Sequence, residues 1–331
     1  MGLLGFNLAI HFLMNFKAKA GGLIPFGFIK KNNSSLYTFT TFTFTSAGTS
    51  GRNGPSLATL LSSYGTATYP WLSNTTYFNS IGGIQFWTVP KNGIYQIQVY
   101  GACGALTNAT VGGLGAIMKG TFTLTQGQVL KILVGQTGNA NTGWACGGGG
   151  GTFVTTNSNS PLIIAGGGAG AASTGVYLGA NGDLGTSGKN SAGNGTSSGG
   201  SIDNGVGGTS GAGGTCGNYC ASGAGGGLTG NGANGSAFPG ASLGGGLSFI
   251  NGGTGGQGAD GGDGGFGGGG GSASSGGYSS AGGGGYSGGA GGCWTNTLYR
   301  GGGGGSYNGG TSQTNTTGAN AGSGYVVISL V

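Results

Sequence analysis

Side chains able to move a proton or hold a metal are scarce in this chain. His11 is the sole histidine, there is no glutamate, and the four acids are Asp183, Asp203, Asp260 and Asp263. General acid–base catalysis needs two such groups held close with matched acidity. His11 lies in an apolar N-terminal stretch and the aspartates are scattered among glycines, so no enzyme and no cofactor are expected. Gly255-Gly256-Gln257-Gly258-Ala259-Asp260 matches the start of a calcium-binding glycine-rich repeat. It occurs once, and Gly262 stands where a large apolar residue belongs, so a turn with solvated carboxylates is the better reading and no metal is expected. Gly-x-Gly-x-x-Gly strings follow here from composition and carry no nucleotide-binding information.

The five cysteines are Cys103, Cys146, Cys216, Cys220 and Cys293. They form no Cys-x-x-Cys pair and have no histidine near them, which argues against zinc. Two readings stand for Cys216 and Cys220: a local disulfide in an oxidising compartment, or small buried thiols in a tightly packed region. The remaining chemistry is contact chemistry. Tyr219, Phe238, Phe266 and Tyr278, then Tyr286, Trp294, Tyr299 and Tyr307, punctuate a glycine-dense region. Such rings could stack on a sugar or a protein surface, or plug gaps at the edge of the glycine region.

The elements that must position these residues divide by composition. Of 331 residues 92 are glycine, concentrated in the second half, and only 4% are charged, against about a quarter in ordinary proteins. Six prolines without a Gly-x-y register exclude collagen. The basic residues are dispersed rather than clustered, so nucleic acid is not an expected partner despite the net charge of +6.

From Leu36 to Val134 the pattern is alternating strand. Tyr37 and Phe39, then Phe42 and Phe44, alternate with threonines across a phase slip that calls for a bulge. Ile84 to Val89 and Ile94 to Tyr100 flank Pro90-Lys91-Asn92-Gly93 and read as a hairpin. Tyr95, Ile97 and Val99 share the core face of the second strand. Ala116 to Leu124 and Val129 to Val134 alternate in the same way, and Thr152 to Thr156 with Pro161 to Ala165 makes a further hairpin. Strand signals then vanish until Tyr325 to Val331. That terminal strand argues that the glycine region is an insertion gripped at both ends by an all-β sandwich. The expected division is an N-terminal arm over 1–35, a sandwich over 36–165 plus 324–331, and a glycine-rich region over 166–323.

Runs such as 147–151, 225–227, 282–285 and 301–305 can adopt the extended threefold helix of polyproline II, which has no internal hydrogen bonds. Polyglycine helices of this kind must pair laterally, and lacking Cβ atoms they can approach closely. Polar stretches such as 173–189, 197–204 and 311–320 are then expected as turns between them. In the first 35 residues the apolar Leu3, Leu4, Phe6, Phe12 and Leu13 suggest an anchoring arm that docks on a partner subunit. Ala18-Lys19-Ala20 imitates a signal-peptidase site, yet no Lys or Arg precedes the apolar run, which favours the arm.

The series Phe44-Thr-Ser-Ala-Gly48 through Pro55, Ile84-Gln-Phe-Trp87-Thr-Val89-Pro90, Tyr95-Gln-Ile97-Gln-Val99-Tyr100-Gly101-Ala102, Leu133-Val134-Gly135-Gln136 and Pro161-Leu-Ile-Ile-Ala165-Gly-Gly-Gly168 resembles the glycine-rich extracellular domain of the anaplastic lymphoma kinase and leukocyte tyrosine kinase receptors. The resemblance extends over roughly residues 37–331. It implies a tumour-necrosis-factor-like jelly roll from which polyglycine II helices project. The architecture is also similar to glycine-rich phage tail-fibre tip adhesins and virion proteins. No ligand-contacting residue matches closely enough to transfer.

These readings converge on a non-enzymatic structural or adhesive protein. The expectation is a subunit of a virion surface or extracellular filament, in a homo- or hetero-oligomeric assembly. It would be fixed to other subunits by its arm and would recognise a host-surface glycan or protein through loops of a rigid glycine layer. The alternatives are a filament or capsid-cement subunit with no receptor, and a secreted ligand-binding ectodomain.

Overall fold

A computed structural model describes residues 34–106, 111–140, 146–171, 179–191, 196–197, 200–201, 205–217, 220–235, 243–259, 262–273, 280–293 and 300–331. Two antiparallel sheets form a sandwich, so the fold is all-β as expected. The strands are β1 (Thr41–Thr45), β2 (Phe78–Ile81), β3 (Ile84–Thr88), β4 (Gly93–Tyr100), β5 (Gly115–Leu124), β6 (Val129–Leu133), β7 (Thr152–Thr156), β8 (Pro161–Ala165), β9 (Thr196–Ser197), β10 (Gly200–Ser201), β11 (Tyr307–Asn308), β12 (Thr311–Asn320) and β13 (Tyr325–Leu330). The first sheet runs β1-β13-β4-β5-β12 and the second β11-β8-β7-β6-β3-β2, while β9 and β10 pair only with each other.

The inward residues follow from the period of two. Tyr95, Ile97 and Val99 of β4, Met118, Phe122 and Leu124 of β5, and Val326 and Ile328 of β13 are buried in one core with Trp87, Leu130 and Ile132 of the facing sheet. One outward row of the first sheet is hydrophilic from edge to edge: Thr41, Ser329, Gln96, Thr121 and Thr311 stand side by side across its five strands. The terminal strand returns as expected, and it takes a central place, Val326 opposite Val99 and Phe44 opposite Val326.

Four sequence expectations need correction. Pro90-Lys91-Asn92-Gly93 does not close a hairpin, because β3 pairs with β2 and β6 while β4 pairs with β5 and β13. The turn reverses the chain across the sandwich, since turn chemistry sets local direction and not the pairing partner. The phase slip near Thr40 is not a bulge: β1 begins at Thr41, after it. A short helix, α1 (Leu57–Tyr64), interrupts the stretch read as strand, started by Ser56 Oγ accepting from Thr59 N at 3.1 Å and stopped at Gly65, φ 77°. Finally, 311–320 is no turn but β12, paired with β5, with most side chains exposed. A strand polar on both sides has no hydrophobic alternation to betray it.

The glycine region is knit by its own backbone. In the stretch 223–228, Gly223 and Gly226 donate to Gly271 and Gly268, Ala224 and Gly227 donate to Ala233 and Gly230, and Gly225 and Leu228 donate to Gly289 and Tyr286. Each neighbour is met at every third residue. The same stretch accepts from Gly282 and Gly285, from Gly246 and Phe249, and from Gly214. The same period of three recurs in 147–151, where Gly148 and Gly151 donate to Gly270 and Gly267, and Gly147 and Gly150 to Asn139 and Gln136. Neighbours lie so close that a Cβ on Gly150 or Gly168 would overlap the carbonyl oxygen of Phe266 or Gly113. This explains the composition: the interior is backbone.

This region joins the sandwich through a second apolar cluster. Leu133, Phe153 and Ile164 pack against Leu228, Phe249 and Phe266, with Phe153 and Phe249 stacked 5.1 Å apart. The second sheet is thereby covered on both faces here, which is why Thr152 to Val154 and Ile163 to Ala165 are buried without alternation.

Candidate functional site

Of the eight aromatics singled out by sequence, Tyr219, Phe238, Tyr278, Trp294 and Tyr299 lie outside the described residues, as do Leu3, Leu4, Phe6, Phe12 and Leu13. The other three sit together at the junction with the sandwich rather than on an outer surface. Phe266 is 1% exposed and belongs to the second core, a correction to its assignment as a contact residue. Gly54 and Gly83 press on its ring so closely that a Cβ on either would overlap it. Tyr286 and Tyr307 stack on each other at 5.1 Å, half-buried against the same core. Aromatic residues in a glycine-dense region have few other apolar groups to pack on, so these gather where the sandwich offers some.

Cys216 and Cys220 carry free thiols in this structure, as do the other three cysteines. Both sulfurs donate to the Ser222 carbonyl, at 3.2 and 3.0 Å. Among the aspartates, Asp263 Oδ1 accepts from Gly258 N at 2.8 Å, closing a local turn, and Asp183 Oδ1 accepts from Leu184 N at 2.8 Å. Asp203 and Asp260 lie outside the described residues. Among the described residues no group of three or more His, Cys, Asp or Glu is arranged to hold a metal.

What the glycine region does present is a platform of three adjoining turns that sequence reasoning did not single out. The first turn is closed by Ala212 N donating to Thr209 O at 3.0 Å, the second by Gly227 N to Gly230 O at 2.8 Å, and the third by Gly252 N to Phe249 O at 3.0 Å. They are tied to one another. Thr229 N donates to Gly211 O at 2.9 Å and Ile250 N to Leu228 O at 3.1 Å, while Asn251 Nδ2 donates to Asn231 Oδ1 at 2.9 Å. Left-handed backbone at Ser210, Gly211, Gly252 and Gly253 turns the chain back sharply at two of the tips.

Beneath the platform Leu228 and Phe249 are buried in the second core. Above it Thr209, Ser210, Thr229, Asn231, Ile250 and Asn251 face solvent, with Ile250 46% exposed. The tips therefore combine hydroxyls, amides and one apolar side chain with no charged group. The turn-forming pairs Ser210-Gly211 and Asn251-Gly252 were the available signal, hidden by the abundance of Ser, Asn and Gly around them. No protein-family model matches the chain.

Proposed function

We propose that this chain is a non-enzymatic adhesive protein of a virion or fibre surface, which recognises a neutral host-surface glycan or protein through turns at the end of a rigid polyglycine layer. On this reading the glycine runs are polyglycine II helices packed side by side, and the sandwich is a tumour-necrosis-factor-like jelly roll, in line with the resemblance to the receptor ectodomains. The observation that carries it is the hydrogen-bond period of three around 223–228, with neighbours on every side. Such packing, anchored beneath by Leu228 and Phe249 in the second core, fixes the turn tips, and loops held on a stiff scaffold bind with little ordering cost. The uncharged tips suit a neutral ligand, since hydroxyls and amides can exchange hydrogen bonds with sugar hydroxyls or a polypeptide while Ile250 supplies apolar contact. Residues 1–35 fix the protein to its carrier.

The test is binding of the full chain to a glycan array and to host cells, alongside Ile250→Asp and Asn231→Ala/Asn251→Ala variants. Retained folding with binding lost in the variants supports the reading. Binding unchanged in both variants refutes the platform, and no binding to either surface refutes the adhesive role.

A second reading has its own observation. β12 forms an exposed edge of the first sheet over ten residues, a ready template for strand addition by a neighbouring subunit. The chain would then be a filament or capsid-cement subunit without a receptor. Assembly into filaments by purified protein with no affinity for host surfaces would favour it.

A further inference from the structure

Three thiols meet where two glycine stretches cross. Cys220 and Cys293 face each other across an isolated antiparallel bridge, in which Ala221 N donates to Gly292 O at 3.3 Å. That bond belongs to the flanking residues, so the two cysteines occupy the narrow pair of the ladder, with Cα atoms about 4.5 Å apart in such a pair. A disulfide spans Cα separations of about 4.4–6.8 Å. Cys220 is also in hydrogen-bonding contact with Cys216, and Cys293 is in the same contact with Cys220, so the Cys220 thiol touches both of the others. Gly291 makes the crossing that tight: a Cβ there would lie 2.7 Å from Cys216 Sγ and 3.0 Å from Cys220 Sγ.

Cys216 alone of the three is partly exposed, whereas Cys220 is fully buried and Cys293 is 4% exposed. The contact with Cys216 and burial push the Cys220 thiol up, and the contact with Cys220 followed by burial does the same for Cys293. Buried thiols of this kind meet an external oxidant poorly, whereas a neighbouring sulfur can reach them.

We propose that Cys216, Cys220 and Cys293 form a thiol–disulfide relay, in which Cys216 takes oxidising equivalents from a small-molecule disulfide and passes them inward to a Cys220–Cys293 bond that staples the glycine layer. The Cys216 thiolate attacks the external disulfide, forming a mixed disulfide and releasing one thiolate, which takes up the proton Cys216 lost. Cys220 then attacks Cys216 Sγ, making the Cys216–Cys220 bond and releasing the second external thiol. Cys293 attacks Cys220 Sγ, making the Cys220–Cys293 bond and returning Cys216 as a thiol. In sum two protein thiols are oxidised and one external disulfide is reduced to two thiols. The local bond between Cys216 and Cys220 is thus an intermediate, and the final bond joins segments distant in sequence, where it constrains the unfolded chain most.

Incubating the folded full-length chain with oxidised glutathione, quenching with N-ethylmaleimide and mapping the peptides by mass spectrometry tests this. The wild type should end with Cys220 bonded to Cys293 and Cys216 alkylated. Cys216→Ser should form the same bond at least about tenfold more slowly, and Cys293→Ser should stop at Cys216–Cys220. A lasting glutathione adduct on Cys216 with the other two still alkylated, a terminal Cys216–Cys220 bond in the wild type, no oxidation at all, or Cys216→Ser reacting at the wild-type rate would each overturn the relay. Should Cys293→Ser fail to fold, the wild-type and Cys216→Ser results decide.

Discussion

The amide of Gly148 donates to the carbonyl of Gly270 at 3.0 Å, and three residues further Gly151 donates to Gly267, three residues back. Two glycine runs far apart in sequence are thus paired once per three residues, leaving the intervening amides to bond other neighbours. Each glycine gives up more chain freedom on ordering than any other residue, and what offsets this is near-complete satisfaction of the backbone.

Gly150→Ala and Gly168→Ala should each lower stability by about 3 kcal/mol or more, because the new Cβ meets backbone, which cannot rotate away. Gly185→Ala, where nothing lies within 4 Å, should change it by less than about 0.5 kcal/mol. Denaturant unfolding compares them. Equal effects at all three positions would show that the runs are not closely packed.

Amide hydrogen exchange should be slow at Gly148, Gly151, Gly223 and Gly226, whose donors are enclosed in the glycine region, and comparable there to the core strands β4 and β13. Exposed tips such as Thr209 and Ser210 should exchange rapidly. Fast exchange through 223–228 would leave the platform without a foundation.

Phe249→Ala should cost about 3–5 kcal/mol, since its ring stacks on Phe153 at the seam between sandwich and glycine region. Loss of protection confined to the glycine region, with the sandwich still protected, would identify this contact as the tie between them.

Tyr64 from α1 reaches the backbone of β1 and the side chain of β3. Its hydroxyl donates to Thr45 O and accepts from Thr45 N, at 3.0 and 2.8 Å, and lies 2.8 Å from Gln85 Oε1. Tyr64→Phe takes this partner from Thr45 N and Gln85 Oε1, while Thr45 O keeps the Gln85 Nε2 donor at 3.0 Å, and should cost about 1–3 kcal/mol near neutral pH. Burial, partly offset by the bonds to Thr45 and Gln85, pushes the phenol up to about 12 from its usual 10.0. The folded state holds that proton more tightly, so this contribution is complete below pH 10 and fades as pH rises towards 12. Stability measured over that window should fall less steeply in Tyr64→Phe than in the wild type.

Alternation along β4, β5 and β13 was enough to place Tyr95, Ile97, Met118, Phe122, Val326 and Ile328 in a core, because the strand period assigns a side chain to one face whatever its partner. The return of 325–331 to the sandwich followed from its Val and Ile content, which has no use in a free tail. Glycine's missing side chain likewise foretold close lateral packing. Tertiary structure alone decided that β3 and β4 lie in different sheets, that the polar 311–320 pairs with β5, and that Phe266 is buried rather than presented. It alone brought the turns at Ser210, Thr229 and Asn251 together, and Cys220 opposite Cys293. Periodicity is a property of the local chain and can be read from it. Which glycine run lies beside which is set by backbone hydrogen bonds that every glycine makes equally well, so nothing in the residue types distinguishes one neighbour from another.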